Sequence, residues 1–295
     1  MPEGDTLFRT ATVLREVLAG KPVTAARGRP DGVALGRVVG SSVERVESVG
    51  KHLLITFGGG LALHTHLRMH GSWHRYRAGE RWRRSPARAV AVIEVPSAVA
   101  VCFDAPTVEL LDARALGIHP ALAALGPDLI EDAPDLDEAM RRMRDFSRVR
   151  MTIGEALLDQ RSQAGLGNVY RSEICFIGRV DPFAEVAAFD DATLRRSLET
   201  GARLLAGNRG GAGRTTTPDP LGAPVGAGGP RPAGGRLYVY GRSGRPCRRC
   251  GTPIRSRVIG ELPRRAYWCP GCQPEGAGTA SGTRRSADPE EGSDA

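Results

Sequence analysis

The stretch CRRCGTPIRSRVIGELPRRAYWCPGC, residues 247–272, carries the strongest structural signal in the chain. Cys247 and Cys250 form one CxxC pair, and Cys269 and Cys272 form a second pair after a spacer of eighteen residues. Two such pairs at this spacing are typical of one tetrahedral zinc ion held by four thiolates. The segments TPIRSRVI and RRAYW between the pairs are predicted to be the two strands of a hairpin.

Four thiolates fill a tetrahedral zinc site, so the predicted metal is structural and not catalytic. A pair of redox-active CxxC motifs is the alternative, but no thioredoxin-like βαβ pattern surrounds either pair. The remaining cysteines, Cys102 and Cys175, lie in apolar stretches and are predicted to be buried core thiols. We therefore expect one structural zinc ion and no organic cofactor.

The cysteine module is rich in arginine, and the whole chain is basic. The 295 residues carry a formal net charge of +8, and the isoelectric point is about 9.6. An arginine-bearing hairpin suits nucleic acid, because the guanidinium group binds phosphate in a bidentate manner. A solvated basic face is the alternative. The arginines of the module are Arg242, Arg245, Arg248, Arg249, Arg255, Arg257, Arg264 and Arg265.

Upstream of the module, the hydrophobic pattern changes twice. Residues 5–19 show helical spacing, and residues 22–112 contain short apolar strands at hairpin spacing, which indicates a sandwich or a barrel. Helical periodicity then returns in IGEALLDQ, NVYRSEICFIG and the segments around them. The predicted fold class is α+β with several domains. The expected divisions are a helix with a β-sandwich over 1–115, a helical domain over 116–206, a flexible loop over 207–236, a zinc finger over 237–274 and a disordered tail over 275–295.

The chain opens MPEGDTLFRT, and two interpretations of this start remain open on these residues alone. Pro2 and Glu3 suit the first turn of a helix, where proline and acidic residues are common. Aminopeptidases also remove a Met1 that precedes proline, which would leave Pro2 with a secondary amine. An α-amino group has a reference pKa of about 7.7–8.0, so a usable fraction of it is a neutral nucleophile near pH 7.

Four features occur in one order along the chain: MPEG at the start, GKHLL around Lys51, LLDQ followed by GLGNVYRSE in residues 157–173, and the four-cysteine ribbon. Together they resemble the formamidopyrimidine-DNA glycosylase / endonuclease VIII (Fpg/Nei) family, over residues 1 to about 274. The opening MPEGDT is similar to that of actinobacterial endonuclease VIII-like proteins. The resemblance implies that the helical domain contains a helix–two-turns–helix motif and that the ribbon is a zinc finger.

The resemblance implies a bifunctional DNA glycosylase and AP lyase of base-excision repair. Such enzymes flip a damaged base out of the duplex, form a Schiff base through the N-terminal proline, and cut the strand by β- and δ-elimination. By position, Pro2 is the expected nucleophile and Glu3 the proton donor. Lys51 matches the lysine that assists β-elimination, with a strand-edge lysine as the alternative. Arg264 matches the zinc-hairpin arginine that is linked to δ-elimination, although the adjacent Arg265 leaves the register open.

DNA contacts are implied at two further places. Asn168 matches the family's phosphate-contacting asparagine at the start of a helix, where an N-cap asparagine is the alternative. Arg68, Met69 and His70 lie in HLRMHGSW, which matches the loop whose side chains fill the space left by the flipped base. For Met69, packing in a core is the alternative interpretation.

The expected substrate is an oxidised pyrimidine, because CFDAPTVELLD lacks the Arg-x-Phe pair of the oxidised-purine branch. One departure weakens that assignment, since Ala124 stands where endonuclease VIII has a DNA-contacting arginine. An oxidised-purine glycosylase remains an alternative. So does a non-catalytic protein that binds damaged or abasic-site DNA. A zinc-ribbon interaction protein would leave MPEG and GLGNVY unexplained.

Composition also predicts where the protein works. No apolar run approaches the roughly 20 residues of a membrane span, and the acidic residues near the N-terminus do not match a signal peptide. We expect a bacterial cytoplasmic monomer that binds damaged DNA and no membrane, and that associates with the nucleoid when it acts.

Overall fold

The computed structural model describes residues 2–29, 31–147, 150–210, 213–218, 236–260 and 263–279. It divides into two compact units, Met1–Leu125 and Gly126–Ala295. Most of the predicted flexible loop over 207–236 and most of the predicted tail over 275–295 lie outside the described residues. Within the part of the chain that is described, no helix is long and apolar enough to cross a membrane.

The first unit is a β-sandwich preceded by a helix, as predicted. Helix α1 spans Gly4–Leu18, one residue earlier than the periodicity indicated. The strands form two antiparallel sheets with the orders β1-β6-β7-β5 and β2-β3-β4-β8. Two short helices, α2 (Ala113–Gly117) and α3 (Pro120–Ala123), close the unit. The strands are β1 (Ala25–Gly28), β2 (Val43–Val49), β3 (His52–Phe57), β4 (Leu61–His66), β5 (Ser72–Tyr76), β6 (Ala89–Val95), β7 (Ala98–Phe103) and β8 (Thr107–Asp112).

The core of this unit joins one stripe of α1 to the inner faces of the strands. The stripe consists of Leu7, Ala11, Leu14 and Leu18, which recur at helical spacing and are all buried. They belong to one apolar cluster with side chains from both sheets. Burying this stripe holds the N-terminal end of the chain against the sandwich. Cys102 lies in the same cluster, which confirms it as a core thiol.

In its described residues, the second unit contains four α-helices, a short 3-10 helix (Val186–Ala188) and one β-hairpin. The helices are α4 (Leu136–Ser147), α5 (Ile153–Ala156), α6 (Asn168–Ile177) and α7 (Asp191–Gly207). Strands β9 (Arg255–Ile259) and β10 (Arg264–Trp268) pair antiparallel, as predicted for the segments between the CxxC pairs. All residues of α6 from Asn168 to Phe176 are buried, including Cys175, which is also a core thiol as predicted.

Helix α5 is much shorter than the periodicity of IGEALLDQ indicated. It begins with a capping box in which Thr152 and Glu155 bond each other's backbone N–H groups, and it ends at Ala156. The Gln160 side chain then organises the turn that follows. Its amide donates to the carbonyls of Leu158 (2.8 Å) and Leu166 (2.9 Å) and accepts the N–H of Gly165 (3.2 Å). Gln160 therefore shapes the connection between α5 and α6 where a longer helix was expected.

Candidate nucleic-acid interface and metal centres

The start of the chain is organised by Glu3. Its backbone carbonyl accepts the N–H groups of Thr6 (2.8 Å) and Leu7 (3.1 Å), so Glu3 is the N-cap of α1. The carboxylate makes no capping hydrogen bond and is fully buried. Pro2 is half-buried and precedes the helix instead of forming its first turn. The helix thus restrains the position of Pro2 and Glu3 without using either side chain.

Lys51 occupies a tight turn between β2 and β3. Val49 pairs with His52, which leaves Gly50 and Lys51 as a two-residue hairpin loop. Gly50 has φ +58°, a left-handed conformation that glycine adopts without steric cost. The side chain of Lys51 therefore starts from the tip of a hairpin, anchored by two paired strands.

The predicted insertion loop is a compact turn between β4 and β5. Arg68 has φ +49°, and its N–H donates to Nδ1 of His66 (3.2 Å). Gly71 closes the turn by donating to the Leu67 carbonyl (2.9 Å). A Cβ on Gly71 would lie 2.6 Å from that carbonyl oxygen, so the close approach requires glycine.

The three candidate side chains of this loop, Arg68, Met69 and His70, are exposed. Met69 has a relative accessibility of 44%, so its side chain is not a core residue. A large exposed apolar side chain between two basic ones is suited to insertion between bases.

Behind Lys51 and the insertion loop lies a cluster of histidines that sequence reasoning missed. Nδ1 of His52 is 2.7 Å from Nε2 of His64, and Nδ1 of His64 is 2.8 Å from Oε2 of Glu109. The same oxygen lies 3.1 Å from Nε2 of His119. The rings of His66 and His52 make an edge-to-face contact, with 4.8 Å between the ring centroids. We call these residues, His52, His64, His66, His119 and Glu109, the histidine cluster.

Burial keeps the inner histidines neutral. It lowers the pKa of His52 to about 3 and that of His66 to about 4. The charges of Lys51 and Arg68 act in the same direction on His66. Lys51 and Arg68 are thus electrostatically coupled to His66. Because His66 is neutral near pH 7, it adds no positive charge beside them.

In the second unit, Asn168 is the first residue of α6, and the cap residue is Gly167. The Asn168 side chain is engaged within the protein: Nδ2 donates to the carbonyl of Arg265 (3.1 Å), and Oδ1 accepts from Arg171. Gly165, at φ +96°, makes the turn that leads into this helix start. The N-terminus of α6 and the hairpin strand β10 are therefore joined by the residue that was predicted to contact phosphate.

Arg171, a residue that sequence reasoning passed over, completes this junction. It is fully buried, and it also approaches the carbonyl of Arg264 (3.5 Å). Arg264 opens β10 opposite Ile259, and the exposed Arg265 donates to the hydroxyl of Ser256 (3.2 Å). The backbone of both arginines is thus held against α6, which orients their side chains from a rigid strand.

The four predicted metal ligands lie together at the base of the hairpin. Their sulfur atoms are all within 4.8 Å of one another. The Sγ atoms of Cys250 and Cys269 are 3.4 Å apart, and those of Cys247 and Cys272 are 3.9 Å apart. Tetrahedral zinc with Zn–S bonds of about 2.3 Å places its sulfurs about 3.8 Å apart. The four cysteines therefore match the dimensions of such a site.

The four thiols differ in how readily they ionise before an ion binds. Contact with the hydroxyl of Thr252 (3.4 Å) lowers the pKa of Cys250 to about 6, whereas burial raises the pKa of Cys269 and raises that of Cys272 to about 12. The backbone N–H of Arg249 donates to Sγ of Cys247 (3.3 Å). Metal binding requires deprotonated thiols, so a bound cation has to stabilise the thiolates of Cys269 and Cys272.

The ribbon is attached to α6 by a buried carboxylate that the sequence did not single out. Glu173 is fully buried, and its oxygens accept the backbone N–H groups of Tyr238, Val239 and Tyr240, each at 2.8 Å. The hydroxyl of Thr216 donates to the same carboxylate. Phe176, near the C-terminal end of α6, packs in one apolar cluster with ribbon residues. These residues are Val239, Cys247, Ile254 and Cys269. The segment NVYRSEICFI mixes charged, polar and apolar residues, so no pattern in it predicts this anchor.

Comparison with known proteins identifies two family domains in the chain. Residues 1–118 match the formamidopyrimidine-DNA glycosylase N-terminal domain, and residues 125–209 match the formamidopyrimidine-DNA glycosylase H2TH domain. A probable endonuclease 8 2 of Streptomyces coelicolor is 39% identical over 92% of this chain and 94% of its own length. The DNA-(apurinic or apyrimidinic site) lyase Nei2 of Mycolicibacterium smegmatis is also 39% identical, over 92% of this chain and 99% of its own.

Solved structures agree with this fold. The Lactococcus lactis Fpg in complex with DNA containing an abasic site aligns with a TM-score of 0.74 at 20% identity, over 92% of this chain and all of its own. The MutM (Fpg) protein of Thermus thermophilus aligns with a TM-score of 0.73 at 27% identity, over 93% of this chain and 99% of its own. The predicted combination of helix, sandwich, helical domain and four-cysteine hairpin is therefore confirmed as a known architecture.

Proposed function

The chain belongs to the formamidopyrimidine-DNA glycosylase family, and from that premise we propose that it is a base-excision repair DNA glycosylase and AP lyase acting on oxidised bases and abasic sites. The single observation that carries the proposal is the start of the chain. Glu3, which follows Pro2 directly in the chain, caps α1 with its backbone, and its side chain is buried. Relatives that are 39% identical over nearly their full length are named endonuclease 8 and AP lyase.

We assign the covalent chemistry to Pro2 once Met1 has been removed. The secondary amine attacks C1′ of the damaged nucleotide, and the base departs while the amine loses its proton. Cleavage of the C1′–O4′ bond, with a proton delivered to O4′, then opens the sugar ring and gives the Schiff base. The resulting iminium has no N–H to lose, so it stays cationic and withdraws electrons from C2′ during β-elimination. Glu3 exchanges protons with the sugar, a role that its buried position next to the nucleophile supports.

We assign phosphate contact and assistance to β-elimination to Lys51. Because Lys51 lies at the tip of a hairpin, the backbone from which its flexible, cationic side chain extends is held in place. Arg68, Met69 and His70 enter the space left by the flipped base, which offsets part of the unstacking cost of a few kcal/mol. Their exposure on a turn closed by Gly71 supports this role.

In the second unit, we propose that the start of α6 and the hairpin bind DNA phosphates. The N-terminus of a helix attracts anions through its backbone N–H groups and its dipole. Asn168 holds this helix start to β10, and Arg264 on that strand grips phosphate near the lesion and promotes δ-elimination. The ion held by the four cysteines is proposed to be zinc, which keeps the hairpin folded.

We propose oxidised pyrimidines as the preferred lesions, because the sequence after β7 lacks the Arg-x-Phe pair of the oxidised-purine branch. Proteins named endonuclease 8 among the relatives support the same choice. A non-catalytic protein that binds abasic sites is the second candidate. It would use the same basic surfaces but would form no covalent intermediate.

The test is borohydride trapping of the Schiff base on a duplex with one abasic site. Protein that begins at Pro2 should give a covalent protein–DNA adduct and a cleaved strand. A form with one additional residue before Pro2 keeps every side chain but blocks the amine, and it should lose the adduct by at least about 1,000-fold, as expected for removal of a nucleophile.

The same trapping assay is applied to the variant Lys51→Ala, and Lys21→Ala serves as its matched control. Lys21 is half-buried and donates to the hydroxyl of Ser97 (2.9 Å), away from the residues assigned to the chemistry, so its loss should leave trapping unchanged. Lys51→Ala should slow strand cleavage by about 10–100-fold if Lys51 assists the proton transfer. Tight binding of abasic DNA without any adduct from protein that begins at Pro2 would overturn the enzymatic proposal and leave the binding protein.

A further inference from the structure

One group of metal-ligand side chains lies in the first unit and has no part in the chemistry proposed above. His64 comes from β4, Glu109 from the neighbouring strand β8, and His119 from the residue before α3. One potential ligand atom from each of the three lies within 4.8 Å of the others. Three separate chain segments thus converge on one point, which spacing along the sequence does not reveal.

From this convergence we propose that His64, Glu109 and His119 form a second metal site, for a divalent transition-metal ion of the zinc class. Two imidazoles and one carboxylate are a ligand set that zinc accepts in proteins, with a further position left for water or another ligand. The donor atoms are Nδ1 of His64, Oε2 of Glu109 and Nε2 of His119, which face one another at 2.8 and 3.1 Å.

Around Glu109, little movement is needed to admit an ion. Tetrahedral zinc with bonds of about 2.0–2.1 Å separates nitrogen and oxygen donors by about 3.3 Å. The distances of 2.8 and 3.1 Å around Glu109 therefore have to increase by about half an ångström or less. The Glu109 and His119 side chains have the freedom for this, because they are 42% and 15% exposed.

His52 supplies the outer contact that a ligating histidine needs. Metal-bound imidazoles usually donate their second ring N–H to a fixed partner, which sets the tautomer and the ring orientation. When Nδ1 of His64 binds the ion, its proton lies on Nε2 and is donated to Nδ1 of His52, 2.7 Å away. His64 is itself buried, at 1% exposure, so its ring cannot turn away without repacking the sheet.

The experiment measures zinc stoichiometry on untagged full-length protein, because an affinity tag would itself bind zinc. Protein that retains one equivalent in the four-cysteine site is titrated with Zn²⁺ by calorimetry and then assayed for bound metal after gel filtration. Wild type should take up a second equivalent. Glu109→Gln and His119→Gln should weaken that second equivalent by at least about 100-fold, and His52→Gln by about 10–100-fold.

His74→Gln is the matched control. His74 is a histidine of the same unit on the other sheet, hydrogen-bonded to Ser72 and Tyr76 at 3.0 Å each, and its loss should leave two equivalents. Far-UV circular dichroism checks that each variant is folded. Co²⁺ in place of the second ion should show the weak absorption of nitrogen and oxygen ligands without thiolate bands.

A single equivalent in wild type, or a second equivalent that persists in both Glu109→Gln and His119→Gln, would overturn the proposal. Either result would leave the histidine cluster as a hydrogen-bonded network only. The assay contains no DNA, so its outcome is independent of the glycosylase and lyase proposal.

Discussion

The four-cysteine cluster of the second unit and the histidine cluster of the first contrast in how their ligands are held. Three pairs of cysteine sulfurs lie 3.4–3.9 Å apart and all four sulfurs lie within 4.8 Å of one another, with weak sulfur contacts in place of strong hydrogen bonds. The donor atoms of the histidine cluster lie 2.7–3.1 Å apart and satisfy one another by hydrogen bonds. We expect the first arrangement to depend on a metal for its stability and the second to be stable with or without one.

Whether a ligand cluster needs a metal for its stability is determined by how its side chains interact with one another when no metal is bound. Four clustered thiolates repel one another, and the small hairpin around them has little core of its own, so the ion supplies folding free energy. Two imidazoles and a carboxylate already pair within a sandwich that has a full apolar core. Three measurements, taken from the largest expected effect to the smallest, test this difference.

Removal of metal from the cysteine cluster should have the largest effect. Apparent binding energies of structural zinc are about 10–16 kcal/mol in small domains, so a strong chelator should unfold the hairpin. Alkylation followed by mass spectrometry should then label Cys247, Cys250, Cys269 and Cys272. Cys102 provides the internal control: it is fully buried in the sandwich, and burial raises the pKa of its thiol. If Cys102 reacts as fast as the four ligands, the whole protein has unfolded and the contrast between the clusters fails.

Glu173→Gln should have an intermediate effect, and it separates the anchoring of the ribbon from its metal. The buried carboxylate accepts three backbone N–H groups at 2.8 Å, and an amide would turn a donor toward them. We expect a loss of about 2–4 kcal/mol in the free energy of unfolding, measured by urea denaturation with one zinc still bound.

The matched control for this variant is Glu199→Gln, which changes an exposed glutamate on α7 and should stay within about 0.5 kcal/mol of wild type. A Glu173→Gln protein as stable as this control would show that metal and apolar packing alone hold the ribbon on α6.

Glu109→Gln, measured without added metal, should have the smallest effect on stability. The carboxylate is 42% exposed, so solvent screens its bonds to His64 and His119, and the amide can still accept one of them. We expect a change of no more than about 1 kcal/mol by thermal unfolding. A loss above about 3 kcal/mol would mean that the first unit depends on this carboxylate, as the hairpin depends on its metal.

Much of the architecture was predictable from local patterns. The CxxC spacing indicated the four ligands and the hairpin between them, and helical spacing located α1 to within one residue. Alternation of apolar strands and turns indicated the sandwich. Each of these signals lies within about 25 consecutive residues, where steric preferences and side-chain periodicity determine local structure.

Local patterns were less reliable where a side chain replaces regular backbone bonding. The expected helix of IGEALLDQ ends at Ala156 after one turn, and the Gln160 amide bonds the carbonyls of Leu158 and Leu166 in the turn that follows. For Lys51, a strand-edge position was the alternative, but the residue lies in a two-residue turn with Gly50. Glycine and glutamine allow both outcomes, and long-range packing selects one of them.

By itself, the sequence determined the fold class, the metal-binding ribbon and the order of the family motifs, since these depend on residue type and on short spacing. Only the tertiary structure decided which distant side chains meet. It placed Asn168 against the carbonyl of Arg265, buried Glu173 among the N–H groups of residues 238–240, and brought His64, Glu109 and His119 to one point. Strand pairing and core packing bring together residues that are tens of positions apart, and no local periodicity encodes that proximity.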